Sequence, residues 1–418
     1  MVSILFRNAT LVDGTVDEAR EGFDVLVEDD RIKEISDKPL TAPSGAREID
    51  LKGKTKTLMP GMIDAHVHVK ATMLNLGRLN DVPVTYLIAS ASQIMKAMLM
   101  RGFTTVRDAA GADRGMADAV DHNLIVGPRL FVSGLALSQT GGHCDFRSPT
   151  EVSTIITCAC QVSAQQLGRI ADGVDECRRA ARDELRKGAH QLKIMAGGGV
   201  ASPTDPIQNT QYSVDEMRAI VEECDAWHTY ATAHAYTPHA IKRVVECGVR
   251  CVEHGNLIDE EAANLMAEND VYHVPTSITY FAMNKHGADF GMPEVSMQKL
   301  GEIVDAGMRA VEISMNAGVK IGHGSDLLGP LHKYQSDEFS LKASVMGNHG
   351  AIRSATMTNA EILRQDTELG QLKAGFKADL IVVDGNPLDD IGVLEGDGAH
   401  IRLVMRDGQV FKDELAAA

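Results

Sequence analysis

The sequence lacks the hallmarks of several protein classes. Its seven cysteines are an odd number, lie scattered along the chain and include no Cys-x-x-Cys pair. We therefore expect neither a disulfide framework nor a cysteine-bound zinc ion, and a reducing compartment is the better expectation. No uncharged apolar run is long enough to span a membrane, and the apolar start before Arg7 is too short for a signal peptide. These absences predict a cytoplasmic protein that does not enter a membrane.

Basic residues are also in deficit. The chain has 41 Lys and Arg against 58 Asp and Glu, a formal net charge of −17. Such a chain repels phosphate groups at long range, so we expect it to bind neither nucleic acid nor an anionic membrane surface. The net charge does not argue against a small-molecule substrate. The remaining composition, 44% hydrophobic and 24% charged, is that of an ordinary globular protein.

No Gly-x-Gly-x-x-Gly motif follows a first strand, which weakens the case for a doubly wound dinucleotide-binding sheet. Both ends of the chain alternate apolar and polar residues at period two, whereas the middle alternates short apolar segments with helical stretches. The sequence thus predicts an α/β fold. A (β/α)8 TIM barrel would span residues 58–365, and residues 1–57 and 366–418 would form a small β-sandwich-like domain. The predicted barrel strands are Leu58–His66, Thr104–Asp108, Leu130–Ser133, Gln191–Ala196, Tyr230–Ala235, Cys251–His254, Val271–Pro275 and Val319–Gly322.

Several helix ends carry recognisable signals. The segments 213–216 and 358–361 each read as a capping box, with Ser or Thr followed three residues later by Glu. Thr237 is expected to cap a helix that has Pro238 at its first position, and Gly248 is expected to end that helix.

Polar residues stand at the ends of the predicted strands. In a barrel of this kind the carboxyl ends of the strands form the active-site mouth. We therefore expect residues that are far apart in the sequence to converge there. They are His66, His68, Asp108, Lys193, His234, His254 and Asp326.

The pair His66 and His68 lies on one strand with one residue between. Side chains at this spacing point to the same face. A histidine pair alone could simply be a satisfied polar pair at a strand end. Two further histidines and an aspartate at neighbouring strand ends favour a metal site, and nitrogen and oxygen ligands without thiolate suit zinc, manganese or similar ions.

Lys193 lies within an apolar strand. Burial and nearby cations would lower the pKa of its amine and leave it neutral. A neutral amine can add carbon dioxide, and the resulting carbamate can bridge two metal ions. The alternative is a lysine that is ion-paired or extends its amine to water.

Two other residues are candidates for substrate contact. His143 follows two glycines in a long stretch after the third strand, and Tyr236 lies two residues beyond His234 on the same face. A packed structural tyrosine is an equal alternative for Tyr236. The glycine run 197–199 could cradle an anion, but a tight corner is the simpler interpretation. His323 is expected to line the site or to support it, and Asp108 is assigned to structure.

Together these residues resemble the amidohydrolase superfamily. The resemblance extends over LVDG, LMPGMIDAHVH, the strand residues and the closing AGFKADLIVVDGNPL, which is nearly the whole chain. Within the superfamily, TGGHCDFR and GSDLLGP are similar to the imidazolonepropionase-related group, especially its binuclear Xaa-Pro dipeptidases (prolidases). The resemblance implies two divalent ions, most simply Zn²⁺. His66 and His68 would bind the buried ion, His234 and His254 the outer ion, and carboxylated Lys193 would bridge them.

The same resemblance implies that Asp326 binds the buried ion and acts as general acid and base, while a metal-bridging hydroxide attacks the amide. We expect a small-molecule or dipeptide substrate, Xaa-Pro first, with His143 and Tyr236 binding it, and a homo-oligomeric enzyme. Alternatives are a dipeptidase for basic C-terminal residues and a hydrolase of cyclic amides or imidazolones, because specificity would reside in loops such as 135–170 and 197–212. A non-catalytic scaffold of this fold is the alternative from another class.

Overall fold

A computed structural model describes residues 3–52, 56–147, 167–202 and 204–415. The protein is a mixed α/β structure with parallel sheets. Within these ranges no helix combines the length and apolar character that crossing a membrane requires.

The strands fall into a group at each end of the chain and a group between them. In chain order they are β1 Ser3–Leu11, β2 Arg20–Glu28, β3 Arg31–Ser36, β4 Arg47–Asp50, β5 Lys56–Pro60, β6 Met62–Val67, β7 Phe103–Asp108, β8 Arg129–Val132, β9 Ala136–Ser138, β10 Gly168–Ile170, β11 Leu192–Met195, β12 Ala231–Ala235, β13 Cys251–His254, β14 Tyr272–Val274, β15 Leu380–Asp384, β16 Ile401–Arg406 and β17 Gln409–Asp413.

Helices separate most of the central strands. They are α1 Val84–Met100, α2 Arg114–Asp121, α3 Val174–Arg186, α4 Val214–Ala226, α5 Pro238–Glu246, α6 Glu260–Glu268, α7 Ser277–His286, α8 Glu294–Asn316, α9 Glu338–Arg353 and α10 Asn359–Ile362. Short 3-10 turns cover Leu76–Asp81, Gly329–Asp337, Ile391–Leu394 and Gly396–Gly398, and a π turn covers Ser354–Thr358.

Strands from both ends of the chain share one eight-stranded sheet. Its order is β17-β16-β15-β5-β1-β2-β3, with β4 paired to β1. The ends of the chain meet where β5 runs antiparallel to β15, with Leu58 opposite Val382. The period-two alternation predicted these strands, although β5 and β15 bury side chains on both faces of the sheet. The predicted domain boundary at residue 57 falls inside β5, and the division into two domains stays a prediction.

The central strands pair only in parallel. One sheet has the order β6-β7-β8 and the other the order β10-β9-β11-β12-β13-β14. Hydrogen bonds link the first sheet to segments beside the second: His190 N, just before β11, donates to the Val132 carbonyl (2.7 Å), and Ala65 N donates to the His323 carbonyl (2.8 Å). The parallel α/β character agrees with the sequence prediction, while the assigned ladders form two sheets rather than one closed barrel.

The predicted barrel strands have counterparts in the structure with three differences. The predicted strand Leu58–His66 is divided at Gly61 between β5 and β6, which belong to different sheets. The segment Val319–Gly322 forms only an isolated bridge, between Ile321 and His273, rather than a strand. Strands β9 and β10 were not predicted, since three residues are too few to show a period.

Two of the three helix-start predictions are confirmed. Ser213 and Glu216 form a capping box at the start of α4, and the Thr237 hydroxyl accepts a hydrogen bond from Ala240 N with Pro238 in the first turn of α5. The prediction for Thr358 is wrong. Its backbone is already helical (φ −64°, ψ −40°) because Thr358 is the last residue of a π turn, and a capping side chain needs an extended backbone at that position.

The terminal sheet and the central strands share a hydrophobic core. One cluster joins Ile381 and Val404 of the terminal sheet to Met95 and Leu99 of α1 and to Val106 of β7, all fully buried. Burial of this kind is the main favourable term in folding. The two parts of the chain are therefore held together by apolar contact as well as by hydrogen bonds.

Candidate metal and substrate site

The carboxyl ends of the parallel strands open into one cavity. All eight residues that the sequence predicted for metal or substrate line this cavity, although nearly the whole central part of the chain separates them. They are His66, His68, His143, Lys193, His234, Tyr236, His254 and Asp326. Parallel strands direct their carboxyl ends to the same side, which explains the convergence.

Asp326 faces the two histidines of the His-x-His pair. Its carboxylate lies 3.5 Å from His66 Nε2 and 3.2 Å from His68 Nε2, and the three groups form a compact cluster able to hold a metal ion. Asp326 reaches this place with a positive φ of 49°, and its N–H donates to the His66 carbonyl (2.8 Å). A left-handed backbone at a non-glycine residue is uncommon and persists only where the surroundings fix it, often at functional sites.

Each of the four histidines predicted as metal ligands has one ring nitrogen engaged away from the other three. Nδ1 of His66 lies 2.6 Å from Glu253, and Nδ1 of His68 lies 3.2 Å from the Ala110 carbonyl. Nε2 of His234 lies 3.0 Å from the Gly198 carbonyl. Histidines that bind metals usually donate their second ring N–H to a carboxylate or a carbonyl, which fixes the tautomer.

The fourth histidine, His254, is held by hydroxyl groups. His254 Nδ1 contacts the hydroxyls of Thr276 (2.8 Å) and Tyr280 (3.0 Å). The other ring nitrogen, Nε2, therefore remains for a metal ion. The ring centroids of His234 and His254 are 4.5 Å apart, and that of His254 is 4.9 Å from His66. His254 also has a positive φ, 73°, which turns its side chain out of the regular strand alternation.

Lys193 lies between the two histidine pairs in the sequence and lines the same cavity. It is 1% exposed, and its amine has no hydrogen-bond partner among the described residues. Burial lowers the pKa of this amine. His66 Nε2, 3.5 Å from the Asp326 carboxylate, is likewise buried without a hydrogen-bond partner among the described residues. Orphaned buried nitrogens are costly unless a further group satisfies them, so this donor set fits a metal centre.

The protonation states suit metal binding as well. Burial, reinforced by Lys193, lowers the pKa of His66 to about 4, so its imidazole is neutral near neutrality. Burial alone would raise the pKa of Asp326, but His66 and His68 outweigh it, and the pKa lies below its usual range. A neutral imidazole and an ionised carboxylate are the forms that ligate metal ions.

Glu253 and Arg107 are site residues that the sequence analysis missed. Glu253 accepts from Arg107 Nη2 (2.6 Å) with one oxygen and contacts His66 Nδ1 with the other, and both residues are fully buried. Burial opposes the charge of Glu253, yet Arg107 and His66 hold its pKa well below the usual range. The sequence did carry a signal for Glu253. It is a charged residue within an apolar strand, directly before His254, just as Lys193 is a charged residue within an apolar strand.

The predicted substrate residues are also fixed by neighbours. The His143 ring stacks on His234 at 4.2 Å, and its Nδ1 bonds to the Ser202 hydroxyl at 2.8 Å. The Tyr236 hydroxyl bonds to that of Tyr280 at 2.8 Å. Tyr280 was not predicted, although it links the substrate side of the cavity to His254.

The remaining predictions near the site divide into two groups. Asp108 accepts backbone N–H groups from Val69, Ala110 and Ala112, and it does not line the cavity. His323 does not line the cavity either; it is buried between Phe103 and Phe339. The lining role predicted for His323 is therefore wrong, because its ring packs against Phe103 and Phe339, while the supporting role stays a prediction.

The glycine run 197–199 is a corner where other segments of the polypeptide approach closely. A Cβ at Gly198 would lie 1.8 Å from the Pro206 carbonyl oxygen, and one at Gly199 would lie 1.9 Å from the His143 ring. The run thus makes room for the loop and for His143. Part of the predicted specificity loop 135–170, residues 148–166, lies outside the described residues, as does residue 203 in the loop 197–212.

Comparison with known proteins places the chain in a family. The amidohydrolase family model matches residues 57–411, and the chain belongs to this family of hydrolases. The ochratoxinase of Aspergillus niger is 31% identical over 369 residues, which cover 86% of this chain and 76% of that relative. The family predicted from the sequence is therefore confirmed.

Solved structures show the same likeness. The crystal structure of an amidohydrolase is 51% identical, with a TM-score of 0.96, and covers 99% of this chain and 100% of its own. A prolidase in complex with N-methylphosphonate-L-proline is 49% identical, with a TM-score of 0.95, and covers 99% and 100%. The protein thus has prolidases among its structural neighbours, as its sequence predicted.

Proposed function

We propose that the protein is a metal-dependent dipeptidase that cleaves the amide bond of small dipeptides, with Xaa-Pro dipeptides preferred. The observation that carries the proposal is the 49% identity, over almost the whole chain, to a prolidase that binds a proline phosphonate. The cavity supports it, since the residues predicted to bind metal and substrate line it together.

We also propose a (β/α)8 barrel closed by β6, β7, β8, β11, β12, β13, β14 and the segment around Ile321. The segment around Ile321 would be the eighth member, although it forms no ladder of its own. Support comes from the bridge of Ile321 to His273 on one side and the hydrogen bond from Ala65 N to the His323 carbonyl on the other. Residues 58–365 would form this barrel domain, with residues 1–57 and 366–418 in the small β domain.

The metal ligands follow from the donor set of the cavity. His66, His68 and Asp326 would hold one divalent ion, His234 and His254 a second, and Lys193 as a carbamate would bridge them. Nitrogen and oxygen donors of this kind suit Zn²⁺. When bound, the ions would polarise the substrate carbonyl and lower the pKa of a water molecule.

A side chain of the protein would then transfer the proton from the attacking water to the leaving nitrogen. Asp326 lies within 3.5 Å of both His66 and His68 and is held ionised, so it can accept a proton from the attacking water. The nitrogen of a prolyl amide has no N–H and must be protonated before it leaves as an amine. Asp326 is the group proposed to deliver that proton.

His143 and Tyr236 are proposed to bind the carboxylate of the substrate. A protein of net charge −17 repels an anion overall, so the carboxylate requires local donors. Both groups line the cavity, and Tyr280 holds the Tyr236 hydroxyl in place.

The alternatives differ in what the cavity would have to offer. A basic C-terminal residue would need a carboxylate partner, and Asp326 is the only one among the described residues that line the cavity. A neutral cyclic amide would need no carboxylate-binding donors. A non-catalytic scaffold would be expected to have lost ligands, yet every predicted ligand position is filled.

The test measures metal content and substrate preference on the intact protein. We expect two divalent ions per chain by elemental analysis, and faster cleavage of Xaa-Pro than of other dipeptides.

We expect Tyr236→Phe to lower kcat/KM for a free Xaa-Pro dipeptide about ten- to hundredfold, because a charged hydrogen bond is lost. The loss should largely vanish for the C-terminally amidated substrate. Equal cleavage of free and amidated dipeptides by the unmodified enzyme would contradict carboxylate recognition and favour the cyclic amide.

A further inference from the structure

One ammonium group, that of Lys299 in α8, holds a loop beside the cavity. It donates to three backbone carbonyl oxygens, those of Gly199 (2.9 Å), Ser202 (2.9 Å) and Asp205 (2.7 Å). A lysine ammonium has three N–H donors, so these bonds use its full capacity. Lys299 therefore fixes the path of this loop, in which Val200 also lines the cavity.

The same loop supplies the side chains that hold His143. Ser202 and Asp205 are both fully buried. The Ser202 hydroxyl donates to Asp205 Oδ1, so its oxygen is the acceptor for His143 Nδ1–H at 2.8 Å. Asp205 itself lies 3.6 Å from the same His143 nitrogen. The ring of His143 is thus tied to two side chains whose backbone Lys299 holds.

Gln211 forms a second link between Asp205 and His143. Its Nε2 donates to Asp205 Oδ2 (2.9 Å), and its Oε1 accepts from His143 N (2.8 Å). Asp205 Oδ2 also accepts from Gly199 N (3.1 Å), at the other end of the loop. Both the backbone and the side chain of His143 therefore depend on the position of Asp205.

These bonds decide which part of His143 is offered to the cavity. Since Nδ1 is committed to Ser202, Nε2 is the ring nitrogen left for a substrate. A Cβ at Gly199 would lie 1.9 Å from the His143 ring, so the loop backbone passes directly against it. A shift of the loop would consequently move the ring. A long helix such as α8 is a firmer support for this arrangement than another loop.

We infer that Lys299 is a positioning residue for substrate binding, which anchors the loop from Gly199 to Asp205 on α8 and thereby orients His143. The inference rests on the proposed role of His143 toward the substrate carboxylate and names the group that sets its orientation. Lys299 is not among the residues that line the cavity, so it acts through His143 and not by touching the substrate.

The first experiment compares Lys299→Met with the unmodified, metal-loaded enzyme on Ala-Pro and its C-terminal amide. Methionine keeps an apolar stem but has no donor, so the three carbonyls lose their common partner. We expect kcat/KM for Ala-Pro to fall at least about tenfold, mainly through KM, with a much smaller loss for the amide. The metal content should not change. An equal loss for both substrates, or a loss in kcat alone, would overturn the inference.

Arg309→Met is the matched control, because Arg309 is an exposed cation on the same helix and lies outside the cavity. We expect its kcat/KM for Ala-Pro to stay within about twofold of the unmodified enzyme, as is usual for a surface substitution. A loss equal to that of Lys299→Met would show that any change of charge on α8 has this effect and would contradict the inference.

A double-mutant cycle tests whether Lys299 acts through His143. In a His143→Ala background, Lys299→Met should change kcat/KM for Ala-Pro by less than about threefold, because the group that it orients is already gone. Circular dichroism and metal content confirm that each variant is folded. The same tenfold loss with and without His143 would assign the effect of Lys299 to another part of the site and overturn the inference.

Hydrogen exchange separates this inference from the proposed function. It is measured by mass spectrometry on the metal-loaded enzyme without substrate, over peptides that contain His143 N and Gly199 N. Lys299→Met should speed the exchange of both amides, since their acceptors Gln211 and Asp205 are no longer held, and leave β12 unchanged. If the unmodified enzyme cleaves no Xaa-Pro dipeptide, the proposed function fails and the exchange alone decides. Unchanged exchange at both amides would overturn the inference.

Discussion

At the scale of single residues, the site depends on groups that never reach the cavity. Glu253 contacts His66 Nδ1 at 2.6 Å and is itself held by Arg107 at 2.6 Å. This arrangement fixes which nitrogen of His66 carries the proton, and it leaves Nε2 facing Asp326. Glu253 is therefore a positioning residue, one step behind the proposed ligand.

We expect Glu253→Gln to weaken metal binding about ten- to hundredfold, since partners of ligating histidines contribute affinity of this order. The measurement is a metal titration by chelator competition, with folding checked by circular dichroism. Glu223→Gln is the matched control, because Glu223 is also a largely buried glutamate paired with arginines, Arg178 and Arg182, outside the cavity. Equal metal affinity of the two variants would show that Glu253 does not position His66.

The sequence was sufficient for the groups that project into the cavity and not for those behind them. His66, Lys193 and His234 were found because polar residues in short apolar strands are unusual. Glu253 was overlooked because period two puts adjacent residues on opposite faces, and His254 had already been assigned inward. The positive φ of His254, 73°, breaks that alternation, and nothing in the local pattern CVEHGN indicates it.

At the scale of elements, the start of α9 collects negative charge. Asp337 directly precedes this helix but makes no side-chain capping bond. Burial first, and then Glu395, raise its pKa from 3.8 to about 6. A helix start normally favours an anion, so the neighbouring acidic residues and the burial outweigh the helix dipole here.

This pKa predicts a stability change with pH. A carboxyl group with a raised pKa contributes stability below its unfolded value near 4, and this contribution is lost as pH rises through about 6. We expect Asp337→Asn to gain about 1 kcal/mol over the unsubstituted protein between pH 4 and pH 7, a value reduced because the group is half exposed. Urea unfolding at both pH values measures it. A difference that is independent of pH, or that favours the aspartate at pH 7, would contradict the assignment.

Elements of the fold could be predicted from the sequence where their own residues and the adjacent turns carry the signal. Strands β7, β12 and β13 are short apolar runs bounded by turns, and their limits agree closely with prediction. The segment 319–322 is equally apolar, but it makes only the bridge at Ile321. Whether such a run forms a ladder depends on the neighbours that approach it from distant parts of the chain, which a local pattern does not record.

At the scale of the whole molecule, one arginine connects the central strands to the terminal sheet. Arg129 begins β8, and its guanidinium donates to both carboxylate oxygens of Asp379 (2.7 and 3.1 Å) and to Asp407 (2.6 Å). The Asp379 carbonyl also accepts from Gly61 N (2.7 Å), at the point where β5 passes into β6. Arg129 therefore fixes the orientation of β8 relative to the terminal sheet, which the shared apolar core alone does not do.

We expect Arg129→Met to lower the free energy of unfolding by about 2–4 kcal/mol, because it leaves a buried aspartate unpaired. Chemical denaturation of the full chain measures the loss. Arg114→Met is the control: Arg114 pairs with Asp118 on an exposed helix face, where such a pair contributes only about 0.3–0.5 kcal/mol. Adding Asp379→Asn to Arg129→Met should recover part of the loss, since the stranded charge is then removed. If the double variant is no more stable than Arg129→Met, the loss comes from packing of the arginine stem instead of the unpaired carboxylate.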